Sequence, residues 1–327
     1  MLTITLNPVA ALADPDAGNL VAFDVSFDER IYLVTATKPL DYQTPNDGGA
    51  IFPKTQGETP QNYRVYREED GQFRLLLTIE HDPFNFHHIQ PLKDGRFLLV
   101  CARSRYRDGD SEANARIFDS NGECVSSFTI GDGVQDVGVA SDGRIWASYF
   151  DEGVFGNFGW DQPLGRSGLV AWNSRGSQIF EYSPVNGLDR ICDCYAMNVS
   201  GEDVWIYYYT DFPLVQIRNF RTLNHWDMPI SGSDGFAVSD SAALFRGGYN
   251  QRDRYHLISL SNPEPKIVLT FELRDARGRR IEADRVAGRG ESIFLLRDAE
   301  VFQLTVQAVT EETAALPRRP TARSGGR

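Results

Sequence analysis

A turn signal followed by a strand recurs six times along the chain, and this repeat limits the fold more than any other feature. Each turn lies between an upstream stretch of alternating polar and apolar residues and a downstream stretch rich in β-branched and aromatic residues, which is the pattern of a β-hairpin. The turns are about 52 residues apart on average, a period typical of repeat architectures. The turn positions are Asp28, Asp94, Asp142, Gly201, Asp240 and Gly290.

Most repeats contain a second hairpin signal, for example at Asn121-Gly122 and at Arg175-Gly176. Two hairpins per repeat make a four-stranded antiparallel sheet, and a ring of such sheets is a β-propeller. The sequence therefore predicts an all-β, six-bladed propeller. The predicted blades lie near residues 20–80, 85–131, 134–183, 192–230, 233–272 and 281–306. A pair of β-sandwiches is the alternative, but that fold does not require six similar repeats.

The two ends of the chain complete this prediction. The last repeat holds only three strands, so the N-terminal strand Leu2–Leu6 is expected to supply the fourth and to close the ring. Closure of this kind removes an exposed sheet edge. Residues 1–306 then form a single domain. The segment 307–327, which ends rich in arginine, proline and glycine, is predicted to be a flexible tail.

Residues 145–160 and 207–213 carry a family resemblance. They read IWASYFDEGVFGNFGW and YYYTDFP, and both are similar to sequences of bacterial propeller-type proteins with no assigned function. The repeat length is similar to that of Kelch and WD40 repeats. The whole chain resembles six-bladed propellers of the broad NHL, SMP-30 and TolB-like kind. This resemblance implies a fold and no particular function, because propellers serve as lactonases, lyases, dehydrogenases and scaffolds.

The charge and composition exclude several partners. Lys and Arg number 33 against 45 Asp and Glu, for a net charge of −12, which opposes binding to a nucleic-acid backbone or an anionic membrane. The first twenty residues lack the basic and apolar segments of a signal peptide, and no apolar run reaches membrane-spanning length. Four cysteines fit a reducing compartment as free thiols. A cytoplasmic protein is therefore expected.

One position of the repeat collects polar and charged side chains. In a propeller the first strand of each blade lines the central axis, so residues six positions before each turn are expected at equivalent points near one mouth. Such a composition is not that of a core position, and carboxylates gathered at a narrow mouth need a cation, an arginine or raised pKa values. The residues at this position are Ala22, His88, Asp136, Tyr195, Asp234 and Asp284.

The same position is compatible with three interpretations. The leading one is a binding module that presents an acidic mouth to a small ligand, a cation or a protein partner. The second is a hydrolase or lactonase-like enzyme in which Asp136, Asp234 and Asp284 ligate Ca²⁺ or Mg²⁺ and His88 is the general base. The third is structural, because such residues also cap strands. The neutralising partners would then be Arg190, Arg246 and Arg285.

Two long loops are expected around the mouth, over residues 35–62 and 151–167, because both exceed the usual loop length. The second carries Phe155, Phe158 and Trp160. These aromatic residues predict a lid or a binding platform, or alternatively a loop that buries them against neighbouring blades. Ligand contacts at this aromatic-rimmed mouth are predicted for His87, Tyr195, Asp151, Phe155, Trp160, Arg190 and Arg246.

Overall fold

The computed structural model describes residues 1–42, 53–261 and 264–315. The helices are α1 (Asp151–Phe155) and α2 (Val306–Ala315). The strands are β1 (Leu2–Leu6), β2 (Pro8–Ala11), β3 (Asn19–Val25), β4 (Ile31–Ala36), β5 (Gln56–Glu69), β6 (Gln72–Phe84), β7 (His88–Pro91), β8 (Phe97–Val100), β9 (Tyr106–Arg107), β10 (Asp110–Ser111), β11 (Ala115–Phe118), β12 (Cys124–Phe128), β13 (Val134–Val139), β14 (Ile145–Tyr149), β15 (Leu169–Trp172), β16 (Gln178–Glu181), β17 (Asp193–Ser200), β18 (Asp203–Tyr209), β19 (Pro213–Arg218), β20 (Arg221–Asp227), β21 (Phe236–Val238), β22 (Ala242–Arg246), β23 (Arg254–Ser259), β24 (Lys266–Asp275), β25 (Arg285–Arg289), β26 (Ser292–Arg297) and β27 (Glu300–Thr305).

The strands form antiparallel sets whose members follow one another along the chain. The sets are β3 to β6, then β7, β8, β11 and β12, then β13 to β16, β17 to β20, β21 to β24, and β25 to β27. Three of these sets are linked into one twelve-stranded sheet, because β17 pairs with β25 and β2 pairs with both β27 and β6. Every predicted turn lies between the first two strands of one set, which confirms the hairpin predictions. Gly95 and Gly143 adopt φ angles of 83° and 89° in these turns, a left-handed conformation that glycine reaches without steric cost.

The first strands of the sets lie next to one another. β3 contacts β7, β7 contacts β13, β13 contacts β17, β17 contacts β21, β21 contacts β25, and β25 contacts β3. The apolar faces of successive sets pack together, as where Leu98 and Ile117 meet Val137 and Val170. The core of this all-β fold is therefore divided among the interfaces between neighbouring sheets.

The prediction that Leu2–Leu6 supplies the fourth strand of the last sheet is wrong, because a different strand takes that place. β1 instead runs parallel to β24 along its outer edge, and β2 pairs antiparallel with β27. The reason is packing, because Leu2, Ile4 and Leu6 lie against the buried cluster beside β24, whereas Ala10 of β2 is buried in the next cluster. The first eleven residues thus cover the outer edges of two sheets, which protects both from pairing with another chain.

The segment that follows residue 306 differs from the predicted flexible tail. Residues up to Ala315 form α2, and Val306 and Val309 are buried in the cluster beside β24 and β27. The spacing of three residues places these two side chains on one face of the helix, which explains why the segment packs. The remainder of the predicted tail, 316–327, lies outside the described residues.

The first predicted long loop is shorter than expected. Strand β5 already begins at Gln56 and pairs with β6 through several register shifts, so the connection from β4 spans residues 37–55, of which 43–52 lie outside the described residues. None of the helices in the described part of the chain has the length and apolar character needed to cross a membrane.

Candidate functional site

A cavity of about 240 Å³ lies between the first strands β3, β7, β13, β17 and β25 and the two residues that precede β21; we call it the axial cavity. His88, Asp136, Asp234 and Asp284 all line it, so the structure brings together four of the six residues at the predicted repeat position. Ala22 and Tyr195 are not among its lining residues. The charged and imidazole side chains of the lining are Asp24, His87, His88, Asp136, Asp234, Arg246, Asp284, Arg285 and Arg289.

The carboxylates of the axial cavity also link backbone segments. Asp24 accepts a hydrogen bond from the Ile89 N–H at 2.9 Å, and Asp136 accepts one from the Met197 N–H at 3.1 Å. Both bonds join the first strand of one sheet to the first strand of the next. Asp284 accepts the N–H of Asp298 at 2.8 Å within its own sheet. The strand-capping interpretation is therefore part of what these residues do, because each oxygen satisfies a backbone donor.

Three further polar side chains make similar links. Asn198 donates to the carbonyl oxygens of Phe236 and Gly290 and accepts the Gly290 N–H at 2.7 Å. Gln90 accepts the Val139 N–H at 3.2 Å, and Arg289 donates to the carbonyl oxygen of the same residue at 2.7 Å. Buried polar groups of this kind hold neighbouring strands in register, since a lost partner leaves an unsatisfied backbone group.

The cavity is not the purely acidic mouth that the sequence predicts. Arg246 lies 3.3 Å from the Asp234 carboxylate and donates to the carbonyl oxygen of Ala283, and Arg252 lies 3.2 Å from the same carboxylate. The predicted neutralisation by Arg246 is thus present, with Arg252 as a second partner. Four aspartates in the lining face three arginines, so the formal charge is nearly balanced.

His87 and His88 are neutral at physiological pH. Burial, the neighbouring His88 and the charge of Arg285 lower the pKa of His87 to about 3. Burial and the same arginine lower the pKa of His88 to about 4. Nδ1 of His87 accepts the Ala102 N–H at 3.1 Å, which leaves the proton of the neutral ring on Nε2. That Nε2 atom is buried and has no hydrogen-bond partner among the described residues.

Asp136 has the carboxyl group best suited to exchange a proton near neutral pH. Burial raises the pKa of Asp136 to about 7. The hydrogen bond from the Met197 N–H opposes this shift, and the charge of Asp234 adds to it. Burial also raises the pKa of Asp24 well above its ordinary value, with a smaller contribution from Asp136. His88, the predicted general base, is a weaker base than Asp136 at this pH because its pKa is lower.

The predicted metal ligands Asp136, Asp234 and Asp284 line the axial cavity and are engaged by other groups. Within residues 1–42, 53–261 and 264–315, no three His, Cys, Asp or Glu side chains are grouped so that they could hold a metal ion. Asp234 is already engaged by two arginines, and Asp136 and Asp284 each accept a backbone N–H. The three carboxylates thus line one cavity, each with a partner of its own, and metal binding by them stays a prediction.

The aromatic segment 151–167 is only partly exposed. Its first residues form α1. Trp160 is buried, with its indole N–H donating to the Ser104 carbonyl oxygen at 2.7 Å, and the Arg103 guanidinium lies 4.0 Å from the centre of the Phe158 ring. Phe155 is 57% exposed, with Arg190 5.8 Å from its ring. The loop thus buries the Trp160 side chain, as the alternative interpretation of this loop expects, and a ligand contact by Trp160 stays a prediction.

The buried end of this segment is held by ion pairs. Arg103 forms a two-point contact with Asp132, at 2.8 Å for each nitrogen, and contacts Glu152 at 2.5 Å. Arg103 and Asp132 are almost completely buried. A bidentate arginine–carboxylate pair fixes geometry strongly, so the segment is anchored and does not have the character of a free lid.

Tyr195 belongs to an aromatic cluster beside the cavity instead of its lining. Its hydroxyl group is hydrogen-bonded to that of Tyr249, and its ring packs edge-on against Phe212 at 5.1 Å. Asp193, two residues earlier, has its pKa raised to about 6 by burial and by the charge of Asp151. Tyr209 and Tyr249 are about half exposed. Sequence reasoning missed Tyr249 because it lies in a connection after β22 with no repeat signal.

Sequence reasoning also missed Asp24 and Arg289. Both lie on first strands, but nearer to the turn than the residue six positions before it. Asp24 is two residues beyond Ala22 and therefore shares its face of β3. Alternate residues of a strand share a face, so counting two residues on from Ala22 and from His88 would have identified Asp24 and Gln90. No local pattern indicates Arg289, because its partner Val139 belongs to a distant sheet.

Comparisons with known proteins give a family model and a set of similar folds. The model of the YxzG family matches residues 169–304, which is less than half of the chain. No curated protein matches the sequence. Among solved structures, a chain of the mitotic checkpoint complex is 11% identical, with 92% of this chain and 93% of that chain covered and a TM-score of 0.49.

Two other solved structures are similar at the same level. The Dos1 propeller is 10% identical over 92% of this chain and 86% of that chain, with a TM-score of 0.47. The Pseudomonas aeruginosa periplasmic gluconolactonase PpgL is 13% identical over 77% and 85%, with a TM-score of 0.39. At these identities and TM-scores the similarity transfers no function to this chain.

Proposed function

We propose that this protein is a six-bladed propeller that binds a small polar molecule in its axial cavity. Support for the ring comes from the contacts of the first strands, which run from β3 through β25 and back to β3. Support for small-molecule binding comes from the shape of the site, since a concave site with converging polar groups suits a small ligand better than a flat protein surface does.

The observation that carries the proposal is the combination of chemical groups in one cavity. A neutral imidazole with a buried, unpartnered Nε2 in His87, a carboxyl with a pKa near 7 in Asp136, and the guanidinium of Arg285 line the same 240 Å³. Perturbed titratable groups that converge in a cavity are typical of ligand-binding and active sites. If these residues only capped strands, nothing would require their charged and titratable groups to face the same cavity.

The test is a ligand screen with a blocked cavity. Met197 lines the cavity and is partly exposed, so Met197→Trp should fill it without removing a polar group. We expect ligand-observed NMR against a library of small polar metabolites to detect binding to the wild type that is lost in Met197→Trp. Val125→Trp, at a residue 49% exposed outside the cavity lining, is the matched control and should bind normally. If no compound shows this difference, the proposal is wrong.

A second candidate function is acid–base hydrolysis of an ester or lactone in the same cavity. The raised pKa of Asp136 favours it, because a group that titrates near neutral pH can both accept and donate a proton. Asp136 as the carboxylate would accept a proton from the water that attacks the carbonyl carbon, and as the acid it would give that proton to the alcohol oxygen when the bond between this oxygen and the carbonyl carbon breaks. Hydrolysis of a panel of sugar lactones and p-nitrophenyl esters should then be lost in Asp136→Asn. Equal rates for the variant and the wild type would exclude this function.

A further inference from the structure

We infer that the ligand of the axial cavity is a small organic carboxylate, held by the Arg285 guanidinium and by the Nε2–H of His87. This inference rests on the proposed function and narrows its ligand to one chemical class. It depends on the partners of the lining residues, on the tautomer of His87 and on the balance of charge around the cavity.

Arg285 is the arginine in the cavity whose guanidinium is available. The residue is exposed and lines the cavity, and among the described residues its guanidinium forms no side-chain ion pair or hydrogen bond, although its charge acts on Asp24. Arg246, in contrast, is held by Asp234 and by two carbonyl oxygens, and Arg289 donates to a backbone carbonyl oxygen. A planar guanidinium with free donors is suited to bind a carboxylate through two parallel hydrogen bonds.

His87 supplies a second donor. Its Nδ1 accepts the Ala102 N–H, so the neutral ring carries its proton on Nε2, and this buried N–H has no partner among the described residues. A buried donor left without a partner costs free energy, and an acceptor on a ligand would remove that cost. Arg285 and His87 both line the axial cavity, and the charge of Arg285 lowers the pKa values of His87 and His88.

The charges around the cavity favour an anion over a cation. Asp234 is neutralised by Arg246 and Arg252. Burial raises the pKa values of Asp24 and Asp136, which reduces the negative charge that they hold at neutral pH. Asp284 is exposed and bonded to a backbone N–H. Among the described residues no carboxylate forms an ion pair with Arg285, which acts on Asp24 only at longer range, and an anionic ligand would supply a direct counterion.

The size and the number of donors favour a monocarboxylate. The volume of about 240 Å³ is below the roughly 300–1,000 Å³ typical of sites for drug-sized ligands. One free guanidinium and one neutral N–H match a single carboxylate group, whereas a phosphate dianion requires more positive charge. The remaining polar groups, His88 and Asp136, would then face hydroxyl groups or other neutral parts of the ligand.

The experiment compares defined probes by ligand-observed NMR: acetate, glycolate, inorganic phosphate, glycerol and tetramethylammonium. We expect acetate and glycolate to bind the wild type, Arg285→Gln to weaken their binding at least tenfold, and His87→Phe to weaken it as well. Arg285→Lys, which keeps the charge, should retain part of the affinity. Arg277→Gln, an exposed arginine outside the cavity, is the control and should bind as the wild type does.

The outcomes separate this inference from the proposed function. If glycerol, tetramethylammonium or phosphate binds in a manner that Met197→Trp abolishes while carboxylates do not bind, the cavity is a binding site but the carboxylate assignment is wrong. Carboxylate binding that Arg285→Gln leaves unchanged also overturns the assignment. If neither these probes nor any library compound shows binding that Met197→Trp abolishes, the proposed function fails together with the inference.

Discussion

At the scale of single residues, Asp136 shows how burial turns an ordinary side chain into a pH-sensitive one. Its carboxyl lines the axial cavity and accepts the Met197 N–H, yet burial raises its pKa from 3.8 to about 7. Between these two values the folded protein keeps the proton while the unfolded chain releases it. The unfolded state then binds fewer protons, so this group makes the protein less stable as the pH rises from about 4 to about 7.

Asp136→Asn should therefore be more stable than the wild type at pH 8, because asparagine has no proton to lose and its amide oxygen still accepts the Met197 N–H. We expect a gain of about 1–3 kcal/mol at pH 8, since each unit of pKa shift corresponds to about 1.4 kcal/mol and water in the cavity reduces the effect. At pH 4 the two proteins should differ little. Urea unfolding of both proteins at the two pH values measures the difference.

The control for this prediction is Asp142→Asn. Asp142 pairs with Arg144 at the surface, so its replacement should give no gain in stability at pH 8. The contributions of His87 and His88 are the same in Asp136→Asn and in the wild type and cancel in the comparison. A variant Asp136→Asn that is less stable than the wild type at pH 8 would show that the carboxylate is ionised and needed in the folded protein.

At the scale of elements, the first strands are joined by side chains more than by strand pairing. Strands β17 and β25 pair through one pair of residues, Asn198 with Gly288. The Asn198 side chain adds three hydrogen bonds to the backbone of Phe236 and Gly290. It thus connects β17 to Phe236 of β21 and to Gly290, which directly follows β25. Because Asn198 is fully buried, water does not replace these bonds easily.

Asn198→Ala should destabilise the protein by about 2–4 kcal/mol, because it leaves the Gly290 N–H and the Phe236 carbonyl oxygen without this partner in a buried place. The Gly290 carbonyl oxygen loses one of its two donors and keeps the Val238 N–H. Thermal or urea unfolding measures the loss. Asn224→Ala is the matched control: Asn224 is exposed and bonds to the Gln216 side chain, so its removal should cost less than about 0.5 kcal/mol. Equal effects of the two substitutions would contradict the role given to Asn198.

The elements also show what the sequence could predict. Turns such as Asp94-Gly95 and Asp142-Gly143 are local signals, since the residues that form the hairpin are adjacent in the chain. The convergence of His88, Asp136 and Asp234 followed from the repeat once the turns were aligned. The partners of these residues did not follow, because Met197 and Arg252 come from other sheets or connections. Only the packing of the whole molecule brings such pairs together.

At the scale of the whole molecule, the ends of the chain were the least predictable part of the fold. Both β1 and β2 have the composition of short strands, and the sequence does not say which sheet edge each one covers. The choice depends on the apolar surface beside β24, which β1 covers with Leu2, Ile4 and Leu6. That surface is itself assembled from residues far apart in the chain, so no local pattern contains it.

This arrangement predicts that stepwise removal of the first eleven residues has two separate effects. Deletion of residues 1–7 removes only β1 and uncovers β24, whereas deletion of residues 1–11 also removes β2 and uncovers β27. An uncovered edge presents unpaired N–H and C=O groups to other molecules. We expect each deletion to lower the midpoint of thermal unfolding, the longer one more, and light scattering to show association that grows in the same order.

The matched control is deletion of residues 318–327, which lie beyond α2 and outside the described residues. If the edges determine the outcome, this deletion of similar length should leave the unfolding midpoint and the monomer fraction close to those of the full chain. A shorter N-terminal deletion that is as damaging as the longer one would mean that β2 contributes little. In that case the pairing of β2 with β27 would not be what holds the last sheet, and the stability of that sheet would depend on the packing of β25 against β3 and on α2.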